Sequence, residues 1–182
     1  MRIIAGKYRS RTVKSVPGTE TRPTSDKIKG AVFSSLQQNL ENGAMLDCYS
    51  GTGNMALEAL SRGMSYATMV DMNRQAIMTI KENVKSLQVK NCEVLQGSIF
   101  SILPKLKYTY RFVYVDPPYA KQENDRLLHM LDQYGLVEEE GHVVIESTKE
   151  DTFADEVGCF KKVREKLYGI TKITYYVRRM VE

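Results

Sequence analysis

The chain has little of what builds disulfide frameworks and metal centres. It holds three cysteines and two histidines in 182 residues. Cys48, Cys92 and Cys159 lie far apart and form no CxxC pair. That spacing argues against a disulfide scaffold or a zinc site and for thiols kept reduced in a cytoplasm. His129 and His142 are too isolated to suggest a metal centre. No run approaches the roughly 18 consecutive apolar residues of a membrane span. The opening residues, MRIIAGKYRSR, lack the apolar centre of a secretory signal, which predicts no export. No internal repeat or low-complexity segment stands out. The length fits one domain that buries about 70% of its unfolded surface.

Charge is present but uneven. The whole chain carries +4, whereas residues 1–30 hold eight basic side chains against two acidic ones. A basic leading segment on a near-neutral body reads as a footprint for a polyanion, ahead of a merely solvated surface. Residues 2–5 and 12–16 read as short strands around the turn-prone Gly6-Lys7-Tyr8-Arg9-Ser10. Such a hairpin would offer Arg2, Lys7, Arg9 and Arg11 to phosphates and Tyr8 to a base. Pro17-Gly18 ends it. Arg22 adds a further phosphate contact ahead of a helix. Thr24 or Ser25 is the expected cap of that helix. Ile28, Val32, Phe33, Leu36 and Leu40 then fall on one face, and Asn42-Gly43 stops the run.

Residues 45–63, MLDCYSGTGNMALEALSRG, are the centre of the chain. A short apolar run ends at Asp47. Gly51 and Gly53 make a tight turn. Met55, Leu57, Ala59 and Leu60 then mark a helix. Strand, glycine loop and helix form the first unit of a nucleotide-binding α/β sheet. A dinucleotide would place its diphosphate on the helix N-terminus, yet Asp47 at the loop entry would repel it. A cationic or zwitterionic ligand suits that carboxylate better. S-adenosylmethionine, with an amino group and a sulfonium, fits, and a nicotinamide-dependent oxidoreductase fits less well. A lone glycine loop also allows an ordinary tight turn.

The rest of the chain keeps the alternation. Strand 66–70 ends at Asp71, 20 residues past Gly51, where a carboxylate meets ribose hydroxyls. A helix over 73–87 turns Ile77, Ile80, Val84 and Leu87 inward. Strand 92–95 runs out near Gly97-Ser98-Ile99. Ile102, Leu103 and Leu106 suggest a short helix, and 111–115 a fourth strand. Leu127, Leu128, Leu131 and Tyr134 mark another helix, and 142–146 a fifth strand. Residues 147–158 read as a polar loop. Residues 160–168 and 170–178 read as an antiparallel pair about Gly169. This order predicts a mostly parallel sheet with helices on both faces and ligands at the carboxyl ends of its strands. Asp47, Asp71, Ser98, Asp116 and Glu146 all fall at such ends.

Asp116-Pro117-Pro118-Tyr119 is the sharpest motif. Two prolines fix φ and remove two N–H donors, so the loop presents carbonyls in a rigid frame. Asp116 adds an acceptor and Tyr119 a flat face. Together they suit a planar ring with an exocyclic amine. Acceptors that hold the amine protons favour the charge that develops during attack. Alone, the motif is equally a proline turn after a strand. Behind an adenosylmethionine-type loop, the clamp is the better reading.

The opening RIIAGKYRSR, the stretch RPTSDKIKGAVFSSL, the glycine loop and DPPY together resemble the RsmD family, across almost the whole chain. These are bacterial methyltransferases acting on the guanine N2 at position 966 of 16S rRNA. The resemblance implies a seven-stranded class I, Rossmann-like α/β sheet, residues 21–182, behind a small β-hairpin extension, residues 1–20. It implies that Asp47, Ser50, Gly51 and Gly53, Asp71 with Met72, Ser98 with Ile99, and Asp116 bind S-adenosylmethionine. Asp116, Pro117 and Tyr119 would hold the guanine. Transfer would be direct and in line, without metal. The base must leave its stack, at a few kcal/mol, and stacking on Tyr119, worth about 1–3 kcal/mol, offsets part of that. The partner would be 16S rRNA within an assembly particle, and the enzyme a cytoplasmic monomer. Two positions depart from the family pattern: Met55-Ala56 replace a common glycine, and Ser98 stands where an acidic or amide residue is frequent. DPPY alone is shared with DNA adenine-N6 and cytosine-N4 methyltransferases. That alternative is read as lacking an obvious target-recognition domain, since only about 40 residues precede the catalytic sheet.

Overall fold

A computed structural model describes residues 1–18, 24–118 and 123–179. Helix α1 spans Asp26–Leu40, and all five of its expected inward residues are buried. Ser25 is its cap, accepting the Ile28 N–H at 3.2 Å. Thr24, the other candidate, is buried and bonds elsewhere. Strand β1 (Ala44–Asp47) leads through the glycine loop into α2 (Asn54–Ser61), which is buried on every side. Strand β2 (Tyr66–Asp71) and α3 (Arg74–Leu87) follow, with Asn73 capping α3 through the Ala76 N–H. Strand β3 (Cys92–Gln96) precedes a short α4 (Ile99–Ile102) that tightens into a 3₁₀ turn at Leu103–Lys105. Strand β4 (Tyr110–Val115), α5 (Asn124–Gln133) and β5 (Val137–Thr148) complete the alternating part.

Three strands close the sheet: β6 (Glu156–Val157), β7 (Phe160–Tyr168) and β8 (Thr171–Arg178). The order is β3-β2-β1-β4-β5-β8-β7-β6. The first five strands are mutually parallel, and β8, β7 and β6 add antiparallel pairs. The sheet therefore has eight strands where seven were expected. The extra one, β6, has two residues inside the stretch read as a loop, too few to leave an alternation. Strand β5 also starts earlier than its apolar run. Exposed Glu139 and Glu140 hide its first half, and Glu140 sits at φ 63° where the pairing with β4 shifts register.

Helices α1, α2 and α3 cover one face, with Phe33, Leu57 and Ile80 in a common core. The other face buries Leu103, Leu127, Leu131 and Tyr176. Chain order runs outward from β1 to β3, then returns to β4. The switch point, and hence the crevice, lies between the carboxyl ends of β1 and β4.

The expected N-terminal strands reduce to a single bridge, Arg2 with Thr12. The arm is held by its docking instead. Ile3 and Val13 are buried in the core of α1, α2 and α3. Glu58 of α2 accepts the Ile4 and Ala5 N–H groups at 2.8 and 3.1 Å. Ser61 takes the Tyr8 N–H and donates to the Ala5 carbonyl. Gly6 lies at φ +90°, and a Cβ there would stand 1.9 Å from the Ser61 carbonyl oxygen. No helix among the described residues is long and apolar enough to cross a membrane.

Candidate active site

Asp47 ends β1 fully buried. Its Oδ2 accepts the Ser50 hydroxyl at 3.0 Å, while Oδ1 is buried with no partner. Burial pushes its carboxyl up to about 7, against the Ser50 hydrogen bond, and the nearby Asp71 charge adds to the rise. A buried acceptor that lacks a donor fits a ligand bringing a positive charge and N–H groups. S-adenosylmethionine brings both.

The glycine loop is built for close approach. Gly51 and Gly53 lie at φ +59° and +83°. A Cβ on Gly51 would meet nothing within 4 Å, so that side faces open space, whereas one on Gly53 would press on the Met69 sulfur at 3.3 Å. The two glycines thus differ: one faces open space, the other the core.

Asp71 ends β2 and organises the loop. Its Oδ2 accepts the Gly51 N–H and its Oδ1 the Asn73 N–H, both at 2.8 Å. The interval of 20 residues seen in the sequence is therefore bridged by a direct hydrogen bond. Met72, next along, leaves 69% of its surface exposed. Ser98 is half-buried at the start of α4 with no capping bond. Ile99 is buried in the core.

Asp116 and Pro117 follow β4, both half-buried. Tyr119 and Arg22 lie outside the described residues. Burial, the charge of Glu146 and a hydrogen bond with it push the Asp116 carboxyl well above the usual carboxylate range. Glu146 was legible only as a polar strand end. In the fold its Oε2 accepts from Thr24 at 2.9 Å and from the Tyr114 hydroxyl. Burial and the Glu146 charge push that phenol far up, so it stays a donor. Nothing marked Tyr114 beforehand, since it reads as one more core aromatic of β4.

The basic arm lies beside the loop. Arg2, Lys7, Arg9 and Arg11 are exposed, and Arg11 also donates to the Ser86 carbonyl at 2.9 Å. Tyr8 is half-buried against the core, with Lys7 Nζ 5.5 Å from its ring centre. Lys29, counted among the basic residues, is fully buried and belongs to no surface footprint. Its Nζ bonds Glu58, the Asn54 side chain at 2.8 Å and the Arg2 carbonyl at 2.9 Å. Among the described residues, no three or more His, Cys, Asp and Glu side chains gather to hold a metal.

The family model described as "Conserved hypothetical protein 95" matches residues 1–177. YlbH of Bacillus subtilis is 36% identical over 183 residues, spanning 98% of this chain and all of that one. The chain belongs to this family. Ribosomal RNA small subunit methyltransferase D of Escherichia coli is 28% identical, over 98% of this chain and 90% of its own. The solved structure of yhhF from Escherichia coli superposes with a TM-score of 0.87 at 30% identity, covering 100% of this chain and 99% of that one. The family's fold is the class I methyltransferase sheet. The acidic crevice and the basic arm are thus features of a methyltransferase.

Proposed function

We propose that the chain transfers a methyl group from S-adenosylmethionine to the exocyclic N2 amine of a guanine in 16S rRNA, at position 966. The orphaned Asp47 Oδ1 carries this reading: a buried acceptor below an open glycine loop demands a cationic ligand. The cofactor supplies a methyl already activated on a sulfonium. Asp47 holds the ammonium, with Ser50 fixing its rotamer. Asp71 offers its remaining acceptor capacity to the ribose and braces the loop through Gly51. Met72 and the Ser98-Ile99 backbone border the adenine. Asp116 and the Pro117 frame accept the amine protons of the base, and Tyr119 stacks on its ring. Arg2, Lys7, Arg9, Arg11 and Arg22 grip the phosphates, and Tyr8 lies against the RNA beside them.

The substrate is rRNA within a small-subunit assembly particle, and the enzyme works as a cytoplasmic monomer. Two methyltransferases named for the small subunit, from Escherichia coli and Haemophilus influenzae, support the choice of RNA. The test is tritium transfer from labelled S-adenosylmethionine to 16S rRNA and to assembly particles from a strain lacking this protein. Nucleoside analysis should yield N2-methylguanosine at one site. Label on DNA, or on adenine or cytosine, would sink the proposal.

A further inference from the structure

Two carboxyl groups that hydrogen-bond each other need a proton between them, because a carboxylate has no donor. Val115 of β4 pairs with Ile145 of β5, so Asp116, next after β4, stands beside Glu146 within β5, and the two are close enough to share a hydrogen bond. The proton has a preferred side. Glu146 Oε2 already accepts two hydrogen bonds, from Thr24 and from Tyr114, so Glu146 is the acceptor of the pair and Asp116 the donor. The proton accordingly rests on Asp116, and the pair carries one negative charge. The geometry points to Asp116 and Glu146 acting as a proton relay, with Glu146 the positioning residue that presents Asp116 to the target amine and takes over its proton. This rests on the placement of the amine at Asp116.

The balance is simple. The methyl moves from sulfur to the amine nitrogen, and the broken bond's electron pair stays on sulfur. The nitrogen then carries one proton too many. That proton passes to the free oxygen of Asp116 while Asp116 gives its own to Glu146. The pair goes from one negative charge to none, and water takes the surplus proton after product leaves.

The groups facing the pair are Asp47 from β1 and Tyr114 from β4, with Thr24 closing from the segment before α1. Turnover at saturating cofactor and RNA removes the contribution of Asp47 to cofactor binding. Under those conditions Glu146→Gln should lower kcat by roughly a hundredfold, with both KM values and S-adenosylhomocysteine affinity within about threefold. The acid limb of its pH–kcat profile should move to lower pH, because Asp116 no longer has a charge beside it. Tyr114→Phe removes a donor from Glu146, so its acid limb should move to higher pH with a near-normal plateau. Unmoved limbs in both variants, or a Glu146→Gln enzyme with normal kcat, would overturn the relay. Should Glu146→Gln fail to fold, the Tyr114→Phe limb alone decides. Asp116→Asn is the control: if it also turns over normally, the amine is not at Asp116 and the proposed site itself fails.

Discussion

At the residue scale, the burial of Asp47 costs stability at the position where the proposed function needs a carboxylate. Its carboxyl is raised from about 4 in the unfolded chain to about 7 in the fold. Between those values the folded state holds the extra proton, so stability falls as pH rises through that window and stays lowered above it. A cation at Oδ1 reverses the preference and favours the ionised form. S-adenosylmethionine should therefore bind more tightly as pH rises through about 7, releasing a proton below it. Calorimetry in buffers of different ionisation heat measures that release directly. Asp47→Asn should raise the unfolding free energy at neutral pH by roughly 1 kcal/mol or more, read from urea denaturation, and weaken cofactor binding at least about tenfold. A variant both less stable and fully binding would disprove the role.

Lys29 is the opposite case, a buried charge that is fully paired. Burial alone would raise the Glu58 carboxyl. Hydrogen bonds from Arg62 and the Ile4 N–H, with the Lys29 charge, outweigh burial and hold it below the usual range. Lys29→Ala would break the fully buried Lys29–Glu58 pair and leave Glu58 with Arg62 alone, at a cost of about 3–5 kcal/mol. A denaturation midpoint close to wild type would contradict this.

At the element scale, the glycines of the arm and the loop should part company. Gly6→Ala puts a methyl into the Ser61 carbonyl, which must undock the arm from α2. Melting temperature should fall, and Ile3 and Val13 would lose burial worth about 1.5–3 kcal/mol each. Removal of residues 1–16 should for the same reason destabilise the sheet rather than merely trim a surface. Gly51→Ala meets no protein atom, so only a modest αL strain of about 1–2 kcal/mol is expected. Its effect should fall on S-adenosylmethionine affinity instead. Thermal melting with and without cofactor separates the two variants. Equal loss of stability in both would refute the division of labour.

At the scale of the whole molecule, carboxylates gather at the carboxyl ends of β1, β2 and β4, where the proposed function places the cofactor, while the N-terminal arm is basic. Binding of RNA should be steeply salt-dependent and binding of cofactor nearly not. Replacing Arg9, Arg11 and Arg22 by Ala should leave cofactor titrations unchanged. Each phosphate left without its arginine should flatten the log–log salt dependence of RNA binding by about 0.7–0.9. Filter binding of a 16S fragment across a salt series measures the slope. An unchanged slope would return the arm to a solvated surface and shift attention to Lys161, Arg178 and Arg179.

The alternation of strands and helices from α1 to β5, the glycine loop and the polar strand ends at Asp47, Asp71 and Asp116 were legible in the chain alone. Each is a local pattern: an apolar period, a turn residue, or a carboxylate after a strand. So were the buried faces of α1 and α3, because helical spacing fixes which residues share a side. The tertiary structure alone decided what those residues meet. Thr24 reaches Glu146 across 122 positions, a bond with no periodic trace in sequence. Lys29 looked like part of a basic surface until α2 brought Glu58 against it. The ionisation of Asp47 depends on burial, and the burial of a strand end is set by the elements that close over it. Sequence determines local geometry because neighbours along the chain constrain one another directly. Long-range polar partners are selected by packing, and they exist only once the sheet has brought them together.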